Sequence, residues 1–114
     1  MGIRQDVLWF NRLMASRGAR LSIGLAPCGD IDLERRKNKA RFAHVGHKPS
    51  LICCAKSFPG QSQSRRRGII AHEIGHQSLM NKGNWAHREH EADAEAERVL
   101  GVKIRYDKKG LQRL

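Results

Sequence analysis

The chain has 114 residues, 39% of them hydrophobic and 5% aromatic, so we predict a single domain over residues 1–114 with one small aliphatic core. It contains no run of eighteen apolar residues, and residues 1–10 lack a signal-peptide core, so we expect a cytoplasmic protein without a membrane partner. The net charge of +11 is compatible with nucleic acid or an acidic protein as partner, and equally with a solvated basic surface.

The basic residues are dispersed along the chain. Clusters at residues 34–41, 65–67 and 103–109 are far apart in sequence, and no nucleic-acid motif with interleaved aromatic residues appears. Nucleic-acid binding therefore remains an alternative that rests on charge alone.

The cysteines do not predict a metal site or a disulfide framework. The chain has an odd number of cysteines, Cys28, Cys53 and Cys54, and no C-x-x-C pair. Cys53 and Cys54 are neighbours, and neighbouring side chains of a strand point to opposite faces, so the two could not easily bind one ion. We expect reduced thiols that are buried or half-buried.

The N-terminal part of the chain is predicted to contain a helix and a strand. Residues 3–17 have apolar side chains at helical spacing, and Gly18 is a stop signal. Alternation over residues 20–25 predicts a strand, and residues 27–30 a turn. The highly charged residues 31–39 are compatible with a helical turn or a loop.

A β-hairpin is predicted in the middle of the chain. Two strand-like runs, residues 40–45 and 50–55, flank a link at residues 46–49 that contains Gly and Pro. His44 and His47 lie near this link, where histidines are usually surface residues, so a second metal site there is disfavoured.

Two helices are predicted in the second half. Ser64 is the expected N-cap of the first, which should end at residues 81–83, where Asn and Gly supply stop signals. The second should span residues 86–100 and end at a glycine. A short edge strand at residues 102–106 and a basic tail at about 107–114 complete the chain.

The first of these helices carries the H-E-x-x-H pattern His72-Glu73-Ile74-Gly75-His76. His72 and His76 lie one turn apart on one face, where two imidazoles can bind one metal ion. Glu73 is about 100° round the helix from His72, outside the ligand set but close enough to take a proton from a water at the metal. Because the chain has 6 histidines, the pattern can also arise by chance, and a third ligand is needed to decide.

A catalytic zinc ion usually has a third protein ligand, and the following helix offers several candidates. Glu89 shares a helix face with Asp93, which is well placed to orient a histidine through its second ring nitrogen. The candidates for the third ligand are Glu89, His87, His90 and Glu91.

The same helix is expected to pack closely on the motif helix. Ala92 and Ala96 are small and lie near the Glu89 face, which favours close approach. Glu95 and Glu97 are expected on a solvated face, the usual location of glutamates in such a run.

The two motifs, His72-Glu73-Ile74-Gly75-His76 and then Glu89-His90-Glu91-Ala92-Asp93, resemble the gluzincin metallopeptidases, in particular the small IrrE/ImmA-like group. The resemblance covers residues 64–100 and implies a minimal zincin-like α+β domain. In it, a small, mostly antiparallel sheet packs on an N-terminal helix, the active-site helix and a C-terminal ligand helix. The chain departs from the group at Glu95, where an apolar residue is usual.

The resemblance implies His72, His76 and Glu89 as ligands of one Zn²⁺ ion and Glu73 as general base. It implies a zinc metalloendopeptidase acting on a protein or peptide substrate. In zincins the strand before the active-site helix commonly aligns the substrate. In this chain that strand would be residues 41–45 or 51–55. The candidates for the oxyanion donor are Tyr106, His87, His90 and Arg105.

Three alternatives to this function remain open. One is a zinc-binding module without peptidase activity, and another is a basic nucleic-acid-associated protein. The third is a DNA-associated protease, which would combine peptidase activity with nucleic-acid binding. It would be similar to the SprT-like group, in which a downstream histidine, here His87, is the third ligand.

Overall fold

A computed structural model of the chain describes residues 2–27, 43–45, 51–54 and 58–114, with the backbone alone for residues 25–27, 43–45, 51 and 53. Helices and short strands combine in these residues, which confirms the predicted α+β class. None of the described helices has both the length and the apolar character needed to cross a lipid bilayer. The elements are α1 (Ile3–Ser16), β1 (Gly24–Pro27), β2 (Ala43–Val45), β3 (Leu51–Cys54), a 3₁₀ turn (Phe58–Gly60), α2 (Gln63–Asn81), α3 (Glu89–Leu100), β4 (Arg105–Tyr106) and β5 (Gln112–Arg113).

In the described residues, β3 lies between β1 and β2 in one mixed sheet. β2 is antiparallel to β3, with Val45 opposite Ile52, so the predicted hairpin pairing is confirmed. β1 is parallel to β3, with Gly24 opposite Leu51, a pairing that the expectation of a mostly antiparallel sheet allows. The predicted link and the undecided segment, residues 46–49 and 31–39, lie outside the described residues.

The strand predicted at residues 20–25 was misplaced, since β1 begins at Gly24 and includes Pro27. The Asn11 side chain explains the late start. Its Oδ1 accepts the Ile23 N–H at 2.8 Å, and its amide donates to the Ile23 carbonyl at 3.1 Å. The polar groups of Ile23 are therefore engaged by α1, and strand pairing begins after it.

α1 is amphipathic as predicted and is held to α2 by a buried ion pair. Asp6 is a charged residue of α1, yet it is fully buried. Its carboxylate accepts hydrogen bonds from Arg66 at 2.8 Å and from Arg67 at 3.1 Å. Side chains that are 0% exposed in the core include Phe10, Met14, Ile52, Phe58, Ile70 and Ile74.

α2 begins earlier than predicted, with Ser62 rather than Ser64 as the N-cap. The Ser62 side chain accepts the Arg65 backbone N–H at 3.3 Å. Ser64 instead binds the C-terminus, donating its hydroxyl to the Leu114 carbonyl at 3.3 Å. The predicted end of the helix is confirmed, since α2 ends at Asn81.

The basic residues at about 107–114 fold back on the chain, with a turn at residues 107–111 followed by β5. β5 pairs antiparallel with β4, and Leu111 and Gln112 are buried. Gly68 of α2 permits this packing, since a Cβ there would lie 2.6 Å from the Arg113 nitrogen. The predicted strand 102–106 is correspondingly shortened to Arg105–Tyr106.

Candidate metal centre

The centre forms where α2 and α3 pack closely against each other. A Cβ at residue 75 would lie 1.8 Å from the carbonyl oxygen of Ala92, so only glycine fits this contact. Ala92 and Ala96 are both 0% exposed, as the predicted close approach requires. The contact brings the first turn of α3 over the histidine face of α2.

Three of the predicted ligand side chains converge in this contact. His72 Nε2 lies 2.5 Å from Glu89 Oε2 and 2.9 Å from His76 Nε2, and His76 Nε2 lies 3.0 Å from the same carboxylate oxygen. These atoms are close enough to bind one metal ion. α3 begins at Glu89 rather than at the predicted residue 86, so Glu89 is in its first turn.

Asp93 and Tyr106 form a chain of hydrogen bonds that ends at the second ring nitrogen of His72. Its Nδ1–H donates to Asp93 Oδ1 at 2.6 Å, the contact expected from the spacing of Glu89 and Asp93. The Tyr106 hydroxyl donates to the other oxygen of Asp93. Tyr106, predicted as a candidate oxyanion donor, therefore contacts Asp93, the residue that orients His72.

The second ring nitrogen of His76 contacts His87. The distance from His76 Nδ1 to His87 Nε2 is 2.5 Å, and His87 Nδ1 lies 3.0 Å from the Asn84 carbonyl oxygen. His87 therefore lies on the opposite side of the His76 ring from Glu89. His90 is exposed on α3 and is not a member of the converging group.

The charges of the site favour a bound cation. Burial and the neighbouring His72 lower the pKa of His76, and Glu89 offsets only part of this effect, which favours the neutral ring. Burial raises the pKa of Glu89 and of Asp93, but the hydrogen bonds and charges of the histidines outweigh burial and leave both pKa values below normal. Two anionic carboxylates and a neutral imidazole suit a divalent metal ion.

His72 has a pKa above its usual value of 6.5. Burial lowers this pKa, but the hydrogen bond to Asp93 and the charges of Glu73, Asp93 and Glu89 outweigh it. Glu73 is only 8% exposed and lies close enough to His72 for its charge to act there. A metal ion that binds His72 therefore competes with a proton for Nε2.

The prediction of a solvated face is wrong for Glu95, which is 7% exposed. Its carboxylate accepts hydrogen bonds from Ser78 at 2.6 Å, Lys82 at 2.6 Å and Arg98 at 2.8 Å. These donors on α2 and α3 explain how a glutamate occupies a position where the resembled group has an apolar residue. Half-buried Glu97 accepts the Ile104 backbone N–H at 2.8 Å.

Other candidate residues lie elsewhere. Cys54 is a buried thiol, as predicted, and its sulfur lies 3.9 Å from the Ile52 carbonyl. Arg105 is exposed on β4 and Glu91 is half-buried on α3. Cys28 and His47, and the side chains of His44 and Cys53, lie outside the described residues.

Sequence reasoning missed Gly75 and Asn84 as contributors to the centre. A glycine inside a helix was the available signal for Gly75, since it is unfavourable there unless another backbone approaches. The role of Asn84 depends on its backbone carbonyl and therefore has no sequence signal. Comparison with known proteins found no matching family model, no similar curated protein and no similar solved structure.

Proposed function

We propose that the protein is a zinc-dependent metallopeptidase. The observation that carries the proposal is the convergence of His72 Nε2, His76 Nε2 and Glu89 Oε2 beside the buried Glu73. Two imidazoles and one carboxylate, with Glu next to the first His, are the residue types of catalytic zinc sites that hydrolyse peptide bonds.

The converging residues fit a zinc ion. Ligands about 2.0–2.1 Å from a tetrahedral zinc lie roughly 3.3 Å apart, and small side-chain rotations would open the observed 2.5–3.0 Å separations to that spacing. If zinc were held by these three residues, it would supply a Lewis acid that acidifies water and polarises a carbonyl.

Glu73 is the general base in this proposal. It accepts a proton from the attacking water and then delivers it to the leaving amine, as general acid–base catalysis requires. His72, His76 and Glu89 hold the metal, and Asp93 orients His72 through Nδ1.

The sheet restricts where a peptide substrate can bind as an added strand. Both edges of β3 are paired, with β1 on one side and β2 on the other, so residues 51–54 are not an available edge. β2 (Ala43–Val45) pairs with β3 alone among the described strands and packs against α2. We therefore assign substrate alignment to β2.

The structure weakens the nucleic-acid alternative at one basic cluster. Arg66 and Arg67 both bind the buried Asp6, and Arg65 binds Asp107 at 2.5 Å. These guanidinium groups are occupied by internal carboxylates and contribute less to a surface that attracts phosphates.

Metal analysis combined with hydrolysis of a proteome-derived peptide library tests the proposal. We expect Glu73→Gln to keep its zinc and to lose hydrolysis by at least about 10²-fold. Glu89→Ala should lose zinc and hydrolysis together. His90→Ala, which changes an exposed histidine beside Glu89, is the matched control for metal binding and should keep its zinc.

Three results would contradict the proposal. Hydrolysis that survives Glu73→Gln would exclude Glu73 as the base. Zinc binding by the wild type without hydrolysis of any library peptide would favour a non-catalytic zinc module. Salt-dependent nucleic-acid binding that is indifferent to chelators would favour the nucleic-acid alternative.

A further inference from the structure

A chain of hydrogen bonds leads outward from His76 and ends at the backbone. The Asn84 carbonyl oxygen has no proton to give, so the His87 nitrogen 3.0 Å from it, Nδ1, must be the donor. In a neutral His87 ring, Nε2 then carries no proton and can only accept. The proton in the 2.5 Å contact between the two rings therefore belongs to His76 Nδ1.

This chain gives the His76 ring a fixed acceptor at its second nitrogen. A metal ion bound at Nε2, the atom that lies 3.0 Å from Glu89 Oε2, would leave the one proton of a neutral ring on Nδ1. His87 Nε2 lies 2.5 Å from Nδ1 and is placed to accept that proton. His87 therefore supports the ring in the orientation in which His76 can be a ligand.

The end of α2 holds the Asn84 carbonyl in place. Gly83 has φ +85°, its N–H donates to Met80 O at 2.9 Å, and the Asn84 N–H donates to Leu79 O at 2.9 Å. This pair of bonds is a Schellman motif, which fixes the backbone immediately after a helix. The acceptor for His87 thus belongs to the turn that directly follows the helix that carries His76.

The same geometry separates His87 from the ligands themselves. Its Nε2 lone pair is directed to His76 Nδ1, on the far side of the ring from the His72–His76–Glu89 group. A metal ion among these three residues would lie beyond the reach of that lone pair.

We infer that His87 is a positioning residue for the metal centre: anchored on the Asn84 carbonyl, it accepts the Nδ1 proton of His76 and holds the ring with Nε2 beside His72 and Glu89. The inference rests on the metal site of the proposed function, and it does not require that the site hydrolyses peptides. Supports of this kind typically change metal affinity about 10- to 100-fold when removed.

NMR of the zinc-loaded protein tests the contact directly through the His76 Nδ1 proton. We expect this proton to exchange slowly with water in the wild type and about tenfold faster in His87→Leu, which removes its acceptor. His87→Gln should restore slow exchange, because the glutamine carbonyl can accept the same proton. An unchanged exchange rate in His87→Leu would overturn the inference.

Zinc affinity, measured by competition with a chelator, gives a second readout. We expect about 10- to 100-fold weaker binding in His87→Leu, near-wild-type binding in His87→Gln and no change in His90→Ala, the matched control. If His87 were itself a ligand, glutamine would not rescue binding. If His87→Leu bound zinc as tightly as the wild type, His87 would have no positioning role.

The failure of this inference and the failure of the proposed function give different results. Zinc binding that follows the His87 series without any peptide hydrolysis would remove the peptidase proposal and leave the positioning role intact. Hydrolysis that depends on Glu73, with no change in proton exchange or zinc affinity in His87→Leu, would do the reverse.

Discussion

Gly75 and Ala92 are in backbone contact, with no room for a side chain at position 75: a Cβ there would lie 1.8 Å from the Ala92 carbonyl oxygen. The contact lies one residue before His76 and one residue before Asp93. It sets the distance between the helix that supplies two ligands and the helix that supplies the third.

Gly75→Ala should therefore separate the two helices. We expect a loss of about 2 kcal/mol in the free energy of unfolding, since overpacking a close contact outweighs the better helix propensity of alanine. Zinc affinity should fall at least about tenfold, because Glu89 moves away from His72 and His76.

Chemical denaturation and chelator competition measure the two effects of this change. Gly60→Ala is the matched control, because nothing lies within 4 Å of a Cβ at position 60. Wild-type zinc affinity in Gly75→Ala would show that the centre does not depend on this contact.

Removing Asp93 should weaken metal binding through His72. Asp93→Ala deletes the acceptor 2.6 Å from His72 Nδ1, and we expect about 10- to 100-fold lower zinc affinity. Tyr106→Phe removes only a donor to Asp93, so its effect on zinc affinity should be smaller. Zinc titrations measure the affinity of both variants. An equal or larger loss of zinc affinity in Tyr106→Phe would contradict the expectation that Asp93 contributes more than Tyr106.

Glu95 should make stability depend on pH in the acid range. The hydrogen bonds from Arg98, Lys82 and Ser78 outweigh burial and lower the pKa of Glu95 from 4.5 to about 2. A lowered pKa means that the unfolded state takes up the proton first, so the stabilisation is present above pH 4.5 and disappears as pH falls to about 2.

Glu95→Gln measures this contribution. We expect it to lower the free energy of unfolding at neutral pH by about 2 kcal/mol, after allowance for solvent screening of the exposed Lys82 and Arg98. The difference from wild type should vanish near pH 2 in denaturation curves. Glu91→Gln on the same helix is the control, and a pH-independent difference for Glu95→Gln would refute the assignment.

Asp6→Asn should destabilise the fold without altering the centre. The substitution leaves Arg66, which is 7% exposed, beside a neutral partner, and breaking a buried pair typically costs about 3 kcal/mol or more. Thermal unfolding should show a large decrease in Tm, whereas Arg4→Gln, at an exposed position of α1, should not. Zinc affinity below the unfolding transition should stay within a few-fold of the wild type.

The positions of β5 and of His87 were not predictable from sequence. β5 is two residues long, too short for strand alternation to be visible, and its position depends on Gly68 meeting the Arg113 backbone. His87 was a candidate ligand because its distance in sequence allowed it. Its actual contact with His76 Nδ1 depends on the turn after Gly83.

The sequence by itself determined the H-E-x-x-H helix, the spacing of His72 and His76, and the common face of Glu89 and Asp93. These are local properties, because helical periodicity relates residues three or four positions apart. Only the tertiary structure decided which downstream side chain meets the histidines. That choice depends on how closely two helices approach at Gly75 and Ala92, a contact between residues distant in sequence.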